Sequence, residues 1–90
     1  ALPISNTLKF EELRAVPRNK LLTVQATMIN TGKRDVNFNY RFKWLDDIGM
    51  KVTEDEMWNP MTAYAGQTFE LTGVAPTSKA TDFVIEIEGF

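Results

Sequence analysis

The 90-residue sequence contains no cysteine and no histidine. That excludes disulfide staples, Cys/His zinc sites, thiol catalysis and any Ser–His or Cys–His nucleophile pair. It also lacks a basic excess. Ten Lys and Arg stand against 12 Asp and Glu, a net charge of -2, so the electrostatic footprint of a broad nucleic-acid binder is missing. No apolar run approaches the roughly 18 residues of a membrane-spanning helix. Neither the charged n-region nor the apolar h-region of a leader is present. The first residue is Ala1 rather than Met, which is what removal of a leader would leave.

What is present describes a folded domain. Apolar residues at 43% and charged residues at 24% match soluble globular domains and argue against disorder. Ninety residues make one domain, because halves of this length would be too small to hold separate cores. Six Phe, two Trp and two Tyr supply large buried area per residue in a chain without covalent staples.

Period-two alternation dominates. In Val36 to Leu45, the side chains of Val36, Phe38, Tyr40, Phe42 and Trp44 share one face, and Asn37, Asn39, Arg41 and Lys43 share the other. A half-buried strand reads this way, whereas a helix would scatter the aromatics around its circumference. Leu22, Val24, Ala26 and Met28 alternate likewise, as do Phe83, Ile85 and Ile87, Phe69 with Leu71, and Leu8 with Phe10. Asn6 to Ala15 has an N-cap candidate and helix formers, but its short alternation favours a strand.

Turn signals separate these runs. Asn30 to Asp35 carries Gly32 and reads as a hairpin joining two long strands, with Gly32 at positive φ. Pro17-Arg18-Asn19 is expected to separate the first strand from the second. Asp46-Asp47-Ile48-Gly49 reads as a type I turn with Gly49 left-handed, leading to a short strand near Met50 to Val52. Ala65-Gly66-Gln67 introduces the Phe69 strand, and Ala75 to Ser78 is a loop shaped by Pro76. Glu54 to Met57 fits either one helical turn or an edge strand. The whole predicts an all-β, immunoglobulin-like antiparallel sandwich of about six or seven strands, with a closed barrel as the rival. The Phe38/Tyr40/Phe42/Trp44 face is expected to pack against Leu22/Val24/Met28 and Phe83/Ile85/Ile87. The single domain takes in 1–90, with 1–17 as a peripheral first strand and linker.

Five segments, read in order, resemble a known family: Leu22 to Gly32 (LTVQATMINTG), Asn39 to Gly49 (NYRFKWLDDIG), Trp58 to Thr62 (WNPMT), Gly66 to Pro76 (GQTFELTGVAP) and Ala80 to Glu86 (ATDFVIE). Their order and spacing are similar to the YcfL-like family of predicted bacterial periplasmic lipoproteins. Tyr40-Arg41-Phe42-Lys43-Trp44 with Asp46 and Gly49 is the most specific part, and the segment before Pro17 matches poorly. The resemblance implies an immunoglobulin-like sandwich in the periplasm, anchored to the bacterial membrane by lipid on an N-terminal cysteine. This chain lacks that cysteine and its leader, as a chain cut after the lipid-attachment site would. The resemblance supplies no catalytic residues.

Candidate sites carry structural alternatives beside functional ones. The carboxylates Asp46, Asp47, Glu54, Asp55 and Glu56 do not have the spacing of a Ca²⁺-binding loop. A turn aspartate that bonds its own backbone, plus a solvated acidic loop, accounts for them. No pair signals glycoside hydrolysis. Trp58, Asn59, Met61 and Tyr64 fall between turns without clean alternation and form the first choice for a partner or ligand contact, since Trp and Tyr anchor interfaces and stack on sugars. The alternative is that Trp58 plugs one end of the sandwich. Tyr40, Phe42 and Trp44 read as core, because Arg41 and Lys43 point away from them. Lys33-Arg34 and Arg14, Arg18 and Lys20 read as solvated surface, and Ser5 and Ser78 have no motif around them.

The expectation is a non-enzymatic bacterial cell-envelope domain acting as a protein-interaction or structural module with an envelope protein as partner, or alternatively a carbohydrate-binding module for a glycan such as peptidoglycan. It takes no cofactor, metal or nucleic acid. The membrane contact is made through an N-terminal lipid outside this chain. The sequence leaves the oligomeric state open.

Overall fold

The computed structural model describes residues 7–89. Ala1, Ser5, the N-cap candidate Asn6 and the terminal Phe90 lie outside the described residues. Six strands form in chain order: β1 (Leu8–Arg18), β2 (Leu21–Asn30), β3 (Val36–Leu45), β4 (Asn59–Ala63), β5 (Thr68–Val74) and β6 (Asp82–Gly89). There is no helix among the described residues. Two antiparallel sheets, ordered β1-β2-β5 and β4-β3-β6, pack into an immunoglobulin-like sandwich.

The inner faces of β2 and β3 make the centre. Val24, Ala26 and Met28 from β2 and Phe38, Phe42 and Trp44 from β3 are all buried. Residues two apart on a strand stand about 6.8 Å apart on the same face. The β3 aromatics therefore touch in series: Phe38–Tyr40 at 6.5 Å, Tyr40–Phe42 at 6.4 Å and Phe42–Trp44 stacked at 5.2 Å. Leu71 and Phe69 of β5 close on this row from the opposite sheet, with Phe69 5.8 Å from Phe38. At Gly73 a Cβ would stand 2.8 Å from the Phe42 ring, so glycine lets β5 lie against that ring.

Four expectations are corrected. Asn30 to Asp35 is not a hairpin, because β2 and β3 belong to different sheets and the loop crosses between them. Two strands with one apolar face each can pair side by side or stack face to face, and alternation reads the same in both cases. Gly32 does not have positive φ; its role is close approach, since a Cβ there would meet Thr7 Cγ2 at 2.9 Å. Pro17-Arg18-Asn19 does not end the first strand. β1 runs through Pro17 to Arg18, and Asn19 and Lys20 alone make the turn, both at positive φ (50° and 67°), as a tight primed hairpin needs. Finally, β6 lies beside β3 in the same sheet, so Phe83, Ile85 and Ile87 extend the aromatic face rather than opposing it.

The other turns match expectation. Gly49 (φ 85°) closes the Asp46 turn and Gly66 (φ 71°) closes the turn between β4 and β5. The short strand expected near Met50 to Val52 is a single bridge, Lys51 to Leu45. Glu54 to Met57 is neither helix nor strand.

One buried amide ties the sheets together at the β2–β3 crossover. Asn30 is wholly buried. Its Nδ2 donates to the carbonyls of Arg34 (2.8 Å) and Ala63 (2.9 Å). Its Oδ1 accepts from Thr7 Oγ1 and from the Gly32 N–H, both at 3.0 Å. Its backbone pairs with Gly66 and Gln67.

The β4–β5 turn is only four residues long, so β4 and β5 stack at one flank and β1 and β6 stand at the other. β1 is barely covered there. Ten of its 11 residues are exposed, and it contributes only Leu8 to the core clusters.

Asn30→Asp keeps the size and the Oδ1 acceptor but sets an oxygen against two carbonyls. Asn30→Ala leaves those carbonyls and the Gly32 N–H without their partner, at about 1–3 kcal/mol for a buried group. Urea unfolding should show both variants at least about 2 kcal/mol less stable. An Asn30→Asp variant of native stability would contradict this account.

Candidate functional site

β4 covers β3 only from Val36 to Tyr40. Beyond Tyr40 the same edge of β3 is completed by the segment 46–58. The Asp46 carboxylate accepts from the N–H groups of Ile48 (3.1 Å) and Met50 (2.8 Å) and shapes the turn. Asp46 N–H donates to Met50 O (2.8 Å), and Val52 N–H donates to Trp44 O (3.1 Å). The chain then leaves the ladder, and a side chain takes over. Glu56 turns inward, its Oε1 accepting from the Phe42 N–H (3.2 Å) and its Oε2 from the Trp44 indole Nε1 (2.9 Å). A carboxylate thus pairs the one polar atom of the largest buried side chain.

This separates the acidic patch of the sequence. Asp46 is occupied in its turn and Glu56 in the β3 edge. Exposed Asp55 bonds Lys51 Nζ at 2.9 Å, and that hydrogen bond and charge hold its carboxyl below the usual range. Among the described residues no three His, Cys, Asp or Glu gather as a metal site.

Trp58 is neither a core plug nor a free platform. It is half-buried on the outer face of the β4-β3-β6 sheet, where the Arg41 guanidinium carbon lies 4.1 Å from its ring centroid, a cation–π contact. Arg41 in turn bonds Glu86 on β6 at 2.9 Å and reaches the Glu56 carbonyl at 3.4 Å. Asn59 is exposed beside Trp58, at the start of β4. Met61 turns inward against the Phe38 cluster, so it offers little surface. Tyr64 is 61% exposed but lies past the far end of β4, about 17 Å of strand away from Asn59. The structure therefore brings Trp58 and Asn59 together and leaves Met61 and Tyr64 apart from them.

A different surface is more prominent. The register of β1 on β2 pairs Phe10 with Met28, Leu13 with Ala26 and Ala15 with Val24, with a bulge between Phe10 and Glu12. Cross-strand partners share a face, so Phe10, Leu13 and Ala15 lie on the inner, core-directed face. Yet Phe10 is 55% exposed and Leu13 53%, because β1 extends past the cover of the opposite sheet. On the outer face Glu12 and Arg14 form an ion pair at 2.8 Å. An open groove of about 430 Å³, bordered by Arg14, Val16, Gln25 and Thr72, runs across the same sheet.

The free edge of β1 can be assigned by alternation. Arg18 and Leu21 flank a two-residue turn and so form a hydrogen-bonded pair. Val16 and Arg14 then also bond β2, and Pro17, Ala15 and Leu13 turn their backbone outward. Pro17 fits this position, where no N–H is required by the sheet. The Leu8/Phe10 alternation showed the first half of this face in the sequence. The bulge shifts the phase before Leu13, which hid the second half.

Glu56→Ala should cost about 1–3 kcal/mol in urea unfolding, since it strands the buried Trp44 indole N–H. Glu56→Gln retains one acceptor and should cost less, with the Trp44 indole proton resonance shifted in both. Unchanged stability and an unchanged resonance would refute the edge-completing role.

Comparison with known proteins agrees with this architecture. The crystal structure of Campylobacter jejuni cj0090 superposes with a TM-score of 0.82 at 21% identity, over 97% of this chain and 91% of that one. A DUF1425 family member from Shewanella sp. pv-4 superposes with a TM-score of 0.81 at 18% identity, over 100% of this chain and 96% of the other. At these identities the likeness concerns the fold alone. No curated protein matches the sequence. A family model, "Protein of unknown function (DUF1425)", matches residues 3–89, and the chain belongs to that family.

Proposed function

We propose that this domain is a non-enzymatic protein-interaction module of the bacterial cell envelope, which receives an extended partner segment at the open flank formed by β1 and β6. The observation that carries this reading is β1 itself. It is an 11-residue edge strand with ten exposed residues and with Phe10 and Leu13 uncovered on its core-directed face. An edge with free N–H and C=O groups accepts another strand, and uncovered apolar side chains beside it reward that pairing. The resemblance to YcfL-like lipoproteins supplies the setting, a periplasmic domain held to the membrane by lipid on a cysteine upstream of Ala1. The absence of histidine and cysteine from the sequence fits binding rather than catalysis.

The carbohydrate reading draws on Trp58. Arg41 already occupies one face of that indole, which leaves one face at most for a sugar ring, and Tyr64 is too distant to form the other wall.

The test uses the full-length lipidated protein as bait in envelope extract, with two variants. Leu13→Pro removes an outward-facing N–H while leaving the β1–β2 ladder intact. Trp58→Ala empties the half-buried aromatic site. Capture of an envelope protein should be lost in Leu13→Pro and retained in Trp58→Ala. The reverse pattern, or enrichment of glycan fragments alone, would overturn the β1 reading and move the contact to Trp58.

A further inference from the structure

We infer that the partner strand at β1 is β1 of a second copy of this chain, paired antiparallel about a two-fold axis at Leu13. The inference rests on the reading that the β1 edge is the contact surface, and it names the occupant.

The residues themselves select the register. Pairing about Leu13 sets residue i opposite residue 26 minus i. On the outer face Glu12 then faces Arg14 of the second copy, and Arg14 faces its Glu12, so each ion pair joins its symmetry mate in a square of alternating charge. On the inner face Leu13 meets its own copy. Phe10, brought into phase by the bulge at Glu11, approaches the second Ala15. The backbone agrees: Leu13 and Ala15 turn their N–H and C=O groups to the free edge, so Leu13 with Leu13 becomes a hydrogen-bonded pair at the axis, while Ala15 faces the bulge at Glu11.

The neighbouring registers fail. Centring on Ala15 would set Leu13 opposite Pro17, which has no N–H to give, and would place Arg14 opposite Val16. Centring on Glu12 or on Arg14 would set two glutamates or two arginines face to face, and centring on Glu11 would again oppose two glutamates. The bulge and Pro17 are devices that blunt an edge against indiscriminate pairing. Here they bracket the regular stretch Glu12 to Val16 and leave one register open. The β6 edge does not offer the same match. Its outer face carries Glu86 and Glu88, and antiparallel self-pairing about Ile85 sets Glu88 against Asp82. The result of β1 pairing is an isologous dimer with one continuous six-stranded sheet, in which the uncovered Phe10 and Leu13 side chains form a shared row.

The absence of cysteine permits a direct test of register. In Leu13→Cys the two sulfurs sit on facing residues with Cα atoms about 5.5 Å apart, within disulfide reach. In Ala15→Cys they are displaced by four residues, about 14 Å. Mild oxidation should give a disulfide dimer with Leu13→Cys and not with Ala15→Cys. In sedimentation equilibrium, Glu12→Arg should weaken self-association about tenfold, because the two-fold axis doubles each charge change. Adding Arg14→Glu to it should restore association to near the native value.

A folded wild type that remains monomeric up to about 1 mM, the weak end of specific association, would overturn the self-pairing. If Leu13→Pro still abolished capture of an envelope protein in that case, the β1 interaction reading would stand with a different occupant. A dimer cross-linked equally well at both cysteine positions, or one not restored by the charge swap, would likewise overturn the register and the inference.

Discussion

The Asn30 side chain is the point at which the two sheets are held in one arrangement. Hydrophobic contact alone would let one inner face slide over the other, because apolar attraction has no direction. Asn30 is the buried polar residue of the described core, and its amide reaches the start of β1 through Thr7, the β2–β3 crossover through Gly32 and Arg34, and the end of β4 through Ala63. Its main chain adds the turn into β5. Three separate pieces of chain depend on one side chain, and a fourth on its backbone; the side chain's hydrogen bonds must all be made, because an unmade bond inside the core costs more than a made one contributes.

Once that end is fixed, burial is divided unevenly. β2 and β3 lie back to back and take the core. β4 and β5 close one flank through a four-residue turn. The other flank keeps β1 with its inner face uncovered and β6 with an open edge. The same asymmetry governs the two surfaces of interest. At the β4 side, segment 46–58 and the Glu56 carboxylate complete the edge of β3, and Arg41 covers Trp58, so the aromatic residue that draws attention in the sequence already has its partner. At the β1 side nothing within the described chain completes the edge, and the apolar residues there remain exposed.

Several elements were legible from sequence because their signal is local. Val36 to Leu45 matches β3 residue for residue, since five apolar side chains at period two leave no other reading. Gly49 was legible as a left-handed turn residue, and Ala65-Gly66-Gln67 as the turn before β5, because turn chemistry is local too. Other features were hidden because their cause is not local. The Asn30–Asp35 loop looked like a hairpin, since alternation does not distinguish a strand that pairs from a strand that stacks. The acidic run at 54–56 looked solvated, and nothing in its spacing shows that Glu56 will find the Trp44 indole. Leu13 was missed because one bulged residue reverses the phase of β1 halfway along.

By itself, then, the sequence determined the all-β class, the strand containing the aromatic row, the turns that need glycine and the exclusion of cysteine and histidine chemistry, because each follows from residue type and short-range period. The tertiary structure decided which strands share a sheet, which carboxylate is internal, that Met61 faces the core, and that β1 is left uncovered. Those outcomes depend on how two sheets of equal width are offset and on contacts between residues far apart in the chain, and no local pattern specifies either.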